Sequence, residues 1–104
     1  PSAGKDFKKN GFYVTNTTSS KVQNKWMYTI NIFSKNDKDT KFAVTVGSDS
    51  IRSSQSELVI IKEVLGQANL EAPNIISYRL KEGNNTIQFV LDSKLRHALK
   101  FDKK

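Results

Sequence analysis

Few side chains in this sequence could carry out covalent chemistry. There is one histidine, His97, and there is no cysteine, so neither a multi-histidine metal cluster nor a Cys–His pair can be assembled. Gly47 and Gly83 are isolated, which excludes a glycine-rich loop that cradles phosphates. No serine lies in a nucleophile-elbow context. We therefore expect a protein that is not an enzyme and has no metal or other cofactor.

The basic residues are the stronger signal for function. Lys and Arg number 17 against 10 Asp and Glu, a net charge of +7, which favours acidic partners such as nucleic acid, anionic lipid or an acidic protein surface. Many of these charges fall between residues 21 and 62, where the fold predicted below could gather them into one patch. The candidate partner-binding residues are Lys25, Lys35, Lys38, Lys41, Arg52 and Lys62.

Length and composition predict one soluble domain. The 104 residues suffice for a single modest core, and no apolar run approaches the roughly 20 residues that span a bilayer. We expect a flexible N-terminal lead over residues 1–11 and one domain over 12–104. Because the chain lacks cysteine, we expect a cytoplasmic protein, with the inner face of a membrane as the alternative location. The Pro1 start without methionine indicates a fragment or a processed chain.

Alternating apolar residues predict the strands. Trp26–Phe33 and Lys41–Val46 are joined by a short polar segment, which predicts an antiparallel hairpin. Phe12–Val14 is a candidate extra edge strand, and the Ser/Thr/Asn-rich segment Thr15–Asn24 is predicted to be a loop. Further strands are predicted at 76–80, at 87–91 and at the end of the chain near 99–101, with a connector over 69–74.

A different spacing predicts one helix over residues 55–65. Ser54 and Glu57 have capping-box spacing, and Gly66 lies where a glycine would end a helix. The rival interpretation is a strand through Leu58–Ile61, because Val59 and Ile60 are β-branched. Helical spacing of three and four residues is shown by Leu58, Ile61 and Leu65.

This order of elements predicts an α+β fold of the ubiquitin-like β-grasp type. One main helix would pack across a mixed sheet in the order ββαββ, followed by a short final element. The core is predicted to contain Trp26, Ile30, Phe42, Val44, Leu58, Ile61, Leu65, Tyr78, Leu80 and Phe89.

Residues 25–81 resemble a Ras-association domain. The resemblance is carried by the hairpin, by the amphipathic helix segment Ile60–Leu65 with Leu70 after it, and by the short strand Tyr78-Arg79-Leu80. It implies a role in signal transduction, in which the second strand of the domain adds to the sheet of a GTP-loaded Ras-like GTPase. The basic residues that match this family by position are Lys25, Lys38, Lys41, Arg52 and Lys62.

Three other functions stay open. A phosphoinositide-binding domain of the phox-homology type would fit the opening strands, although Val44–Ser48 lacks the arginines of that family. Nucleic-acid binding through the basic surface is the less favoured alternative, since no recognised signature supports it. An immunoglobulin-like interaction domain would require residues 57–64 to form a strand.

Overall fold

The computed structural model describes residues 10–38, 40–49, 56–57, 59–95 and 99–103. These residues contain nine strands and no helix. Within them, no helix has the length and apolar character needed to cross a membrane. The strands are β1 Phe12–Val22, β2 Lys25–Ser34, β3 Thr40–Asp49, β4 Ser56–Glu57, β5 Glu63–Leu65, β6 Asn69–Ala72, β7 Ile75–Leu80, β8 Gly83–Leu91 and β9 Leu99–Lys103.

The strands form two antiparallel sheets. The first sheet has the order β1-β2-β8-β5, and the second has the order β4-β3-β7-β6, with β9 also paired to β3. Each sheet buries one face, because successive side chains along a strand point to opposite sides. The result is a β-sandwich whose core lies between the two layers.

The core is built from alternate residues of the four central strands. Phe12 of the first sheet meets Phe42 of the second edge to face, with ring centroids 5.2 Å apart, which is a favoured aromatic geometry. Tyr28 and Phe89 stack across β2 and β8 at 5.7 Å. The buried residues of the central strands are Tyr28, Ile30, Ile32, Phe42, Val44, Val46, Ile76, Leu80, Ile87, Phe89 and Leu91.

The prediction of a ubiquitin-like fold with a helix over 55–65 is wrong. Val59 and Ile61 are buried while Ile60 between them is 53% exposed, so the side chains alternate as in an extended chain. The backbone N–H of Ile61 donates to the Pro73 carbonyl at 2.7 Å, and that of Lys62 to the Val90 carbonyl at 2.9 Å. These bonds lead to distant segments, whereas a helix would bond within itself.

Gly66 has the positive φ expected of a glycine that ends a helix, at 68°. It instead lies in the turn between β5 and β6, which carries the chain from the first sheet to the second. The prediction that Gly66 ends a helix is therefore wrong, because its left-handed backbone belongs to a turn between two strands. Residues 55 and 58 of the predicted helix lie outside the described residues.

The predicted loop Thr15–Asn24 is also wrong, because most of it belongs to β1. This strand pairs with β2 along its whole length, from Phe12 opposite Ser34 to Val22 opposite Lys25. The turn between them consists of Gln23 and Asn24, with φ of 49° and 67°. Positive φ at both central residues is what a tight type I′ hairpin turn requires.

The predicted strand positions are confirmed, but their pairing is not. The strands predicted at Trp26–Phe33 and Lys41–Val46 lie within β2 and β3, yet β2 pairs with β1 and β8, and β3 pairs with β7, β9 and β4. The chain after Ser34 crosses from one sheet to the other, so no hairpin forms. The predicted connector 69–74 contains β6.

Most predicted core residues are confirmed. Six of them are buried, namely Ile30, Phe42, Val44, Ile61, Leu80 and Phe89. Trp26 and Tyr78 pack against the core while partly buried, Leu65 is half-buried, and Leu58 lies outside the described residues. The two antiparallel layers agree with the architecture of the immunoglobulin-like alternative. The single strand over 57–64 that this alternative needs is not formed, since residues 59–62 belong to no strand.

Candidate functional site

The outer face of the first sheet presents a continuous surface of uncharged side chains. Because Tyr28, Ile30 and Ile32 point into the core, the residues between them on β2 point outward, and residues opposite one another in register share that face. We call this surface the polar face. It consists, row by row, of Tyr13, Phe33 and Asn84; Asn16, Asn31 and Thr86; Thr18, Thr29 and Gln88; and Ser20, Met27 and Val90.

A hydrogen-bonded row of three side chains crosses the middle of the polar face. Asn31 Nδ2 donates to Asn16 Oδ1 at 2.7 Å, and Thr86 Oγ1 donates to Asn31 Oδ1 at 3.0 Å. A β-bulge at Thr15 shifts the register of β1 against β2 by one residue at this point, and the Thr15 hydroxyl donates to the Asn31 carbonyl at 3.1 Å. The Asn31 amide is thus fixed in orientation by neighbours on both sides.

The next row leaves several polar groups available to a ligand. Gln88 Nε2 donates to Thr29 Oγ1 at 3.3 Å, which leaves Gln88 Oε1 without a partner among the described residues. The same holds for the exposed hydroxyl group of Thr18 in this row and for that of Ser20 in the row after it. Amides and hydroxyls together supply both donors and acceptors, so this row can bind a ligand group that also does both.

Aromatic rings form one end of the polar face. Tyr13 and Phe33 are directly opposite on β1 and β2, with ring centroids 6.0 Å apart and planes tilted by 55°. Both side chains are half-buried. Their apolar ring surfaces could contact C–H groups of a ligand beside the polar rows.

A shallow groove of about 240 Å³ forms the other end. Met27 and Val90 extend the polar face into this groove, where Leu65 of β5 joins them. Lys25 and Glu63 stand at its rim and are the charged residues that line it. From Phe33 to Met27 the surface extends about 20 Å along β2 at the usual rise per strand residue.

The predicted basic residues fall into two groups at opposite ends of β2. Lys25 begins this strand and Lys62 lies beside the end of β8, where its Nζ is 3.3 Å from Asp92 Oδ2. Lys35 and Lys38 follow the other end of β2, and Lys41 lies on β3 in the second sheet. The structure therefore does not join these five residues into one patch, and Arg52 lies outside the described residues.

The strand predicted to join a GTPase sheet is an interior strand over much of its length. At Val44 and Thr45, β3 pairs with β7 on one side and with β9 on the other. In the described part of the chain, β3 lacks a neighbouring strand on the β9 side at its last residue, Asp49, and along Thr40–Ala43. A partner strand could therefore add only along this short stretch.

The polar face was missed in the sequence because its outer strand looked like a loop. Thr29 and Asn31 at outward positions of β2 were the available signal, but only the pairing with β1 and β8 brings Asn16, Thr86 and Gln88 beside them. The described residues contain no group of three or more potential metal ligands. No family model, curated protein or solved structure matches this chain.

Proposed function

We propose that this chain is a non-catalytic binding module whose polar face holds a neutral oligosaccharide. The observation that carries the proposal is the hydrogen-bonded row Asn16–Asn31–Thr86, flanked by the Tyr13–Phe33 aromatic pair on one side and by Gln88 on the other.

The chemistry of a sugar matches that of this surface. Each sugar hydroxyl both donates and accepts hydrogen bonds, as do the amides of Asn16, Asn31 and Gln88. Sugar rings also carry C–H faces that pack on aromatic rings. None of the twelve side chains of the polar face is charged, and the charged residues beside it, Lys25 and Glu63, stand at its groove end. The hydrogen-bonded rows therefore favour a neutral ligand, since an ionic ligand there would lose its hydration without gaining an opposite charge.

The orientation of the amides also favours binding. The Asn31 side chain is held by Asn16 and Thr86 before any ligand arrives. A side chain that is already ordered loses less conformational entropy on binding. The polar face is open and about 20 Å long. It would therefore fit an extended chain of several sugar units better than a single small molecule.

The test is an NMR titration with neutral oligosaccharides of glucose, xylose, mannose and N-acetylglucosamine. The side-chain amide signals of Asn16, Asn31 and Gln88 should shift in a saturable way with at least one of them. Asn31→Ala and Gln88→Ala should each weaken binding about tenfold, the worth of one or two hydrogen bonds. Thr45→Ala, on the outer face of the second sheet, is the matched control and should bind normally.

Two results would refute the proposal. One is the absence of any amide shift with all four sugar series at millimolar concentration. The other is a set of shifts that maps to the second sheet and persists in Asn31→Ala.

The Ras-like GTPase partner stays an untested prediction, although the ubiquitin-like fold with which it was associated is contradicted. Shifts along Thr40–Ala43 with the GTP-loaded form alone would favour it over the oligosaccharide.

A further inference from the structure

The second sheet places two cations directly opposite each other. Lys41 of β3 faces Arg79 of β7 in the antiparallel register, and both are exposed. Cβ atoms of such cross-strand pairs are about 5 Å apart, and like charges in this position destabilise a sheet. The Lys41–Arg79 pair is therefore unfavourable for the stability of the fold.

No carboxylate of the described residues neutralises either cation. Among the described residues, neither Lys41 nor Arg79 has a carboxylate oxygen within 4.0 Å. Glu71 lies on the same outer face, but its Oε2 accepts a hydrogen bond from Ser77 Oγ at 3.2 Å. Ser77 is two residues before Arg79 on β7, about 7 Å along the strand.

The two cations line a groove of about 400 Å³. Exposed amide side chains of Gln67 and Asn69 and the half-buried Tyr78 line it as well. The two amide side chains can donate hydrogen bonds to an anion held by the charges, whereas the Tyr78 side chain packs against the core. Glu71 lines the groove away from the two cations. Its negative charge would repel an anion, so a negative ligand would bind at the end with Lys41 and Arg79.

We propose that Lys41 and Arg79 form a site for a tetrahedral oxyanion, that is, a sulfate or phosphate group. The arginine fork binds two oxygens of such a group at once, and the lysine ammonium adds a compact positive charge. Binding would remove the repulsion between the cations. The site is on the opposite outer face of the sandwich from the polar face, so it does not depend on the oligosaccharide proposal.

The experiment is an NMR titration of the whole chain with sodium sulfate and sodium phosphate, with sodium chloride at equal ionic strength as the reference. The Arg79 Nε–H signal and the backbone signals of Lys41 and Ser77 should shift in a saturable way with the two oxyanions. Arg79→Gln and Lys41→Gln should each weaken binding about tenfold, as expected for a charge-assisted hydrogen bond. Lys21→Gln makes the same change of charge on β1 and should bind normally.

The origin of the anion is then found with two larger probes. Vesicles containing phosphatidylinositol phosphates should bind more tightly than inorganic phosphate if a lipid carries the group. Dextran sulfate should do so if a sulfated polymer carries it. Affinities equal to that of inorganic phosphate would assign the site to the free anion. The proposal fails if sulfate and phosphate give the same unsaturable shifts as chloride. It fails equally if Lys21→Gln weakens binding as much as Arg79→Gln, since that would be an effect of net charge alone.

Discussion

Asn85 closes the turn between β7 and β8 by bonding twice to the backbone of Lys81. Its Oδ1 accepts the Lys81 N–H at 2.9 Å, and its Nδ2 donates to the Lys81 carbonyl at 2.8 Å. Nδ2 also lies 3.2 Å from the Gly83 carbonyl. Asn85 is only 5% exposed, so its side chain is committed to these bonds, and the turn depends on this residue.

Asn85→Ala should therefore destabilise the protein by about 1–3 kcal/mol, because the partly buried hydrogen bonds of its side chain are lost. Asn84→Ala is the matched control, since the neighbouring Asn84 is exposed. This substitution should change the free energy of unfolding by less than about 0.5 kcal/mol. Urea unfolding followed by tryptophan fluorescence measures both. Equal losses for the two variants would contradict the role of Asn85 in the turn.

Gly11 is required for two reasons that can be separated. Its φ is +81°, and a Cβ at this position would collide with the side-chain amide of Asn36. That amide donates to the Asn10 carbonyl at 3.3 Å and to Thr40 Oγ1 at 3.0 Å. Gly11 also accepts a bond from the Lys35 N–H at 2.8 Å. This end of the predicted N-terminal lead is thus held against the loop after β2, and residues 1–9 lie outside the described residues.

Gly66→Ala isolates the conformational cost, because Gly66 has a φ of +68° and a Cβ there would meet no atom within 4 Å. We expect about 1–2 kcal/mol for this variant from the left-handed backbone. Gly11→Ala should cost about 1–3 kcal/mol more, the usual cost of overpacking. Thermal or urea unfolding gives the difference, and similar values for both variants would show that Asn36 moves aside freely.

Removing one charge of the Lys41–Arg79 pair should stabilise the protein when no anion is bound. Arg79→Gln is expected to raise the free energy of unfolding by about 0.2–1 kcal/mol at low ionic strength, the range for cross-strand pairs. The gain should shrink in high salt, which screens exposed charges. Lys21→Gln is the control and should show no such gain. A destabilised Arg79→Gln at low salt would mean that the two side chains do not repel each other.

The positions of the strands could be predicted because alternation of apolar residues is a local property. The run Trp26–Phe33 shows it clearly, and this run is a strand in the structure. Alternation reveals which residues face a core, but it carries no information on which strand lies next. Proximity in sequence predicts a hairpin of β2 and β3, whereas each strand belongs to a different layer.

The helix prediction failed where two periodicities share the same residues. Ile61 and Leu65 fit a helix, whereas Val59 and Ile61 fit an extended chain, and contacts with the other segments select the second pattern. The polar face was harder still to foresee. Its rows join residues as far apart in sequence as Asn31 and Thr86, so the register of three strands is needed before the site exists.

The segment between β4 and β5 offers a direct test of the corrected fold. Ile61 is 4% exposed and Ile60 is 53% exposed, so their side chains point to opposite sides of an extended chain. Ile61→Ala should destabilise the protein by about 2–5 kcal/mol through lost burial and a cavity. Ile60→Ala removes the same atoms from a largely solvated position and should cost less than about 1 kcal/mol. Urea unfolding measures both changes in the free energy of unfolding, which can be compared directly if the dependence on urea concentration is the same for the two variants. A larger loss of stability for Ile60→Ala than for Ile61→Ala would contradict the orientation of this segment.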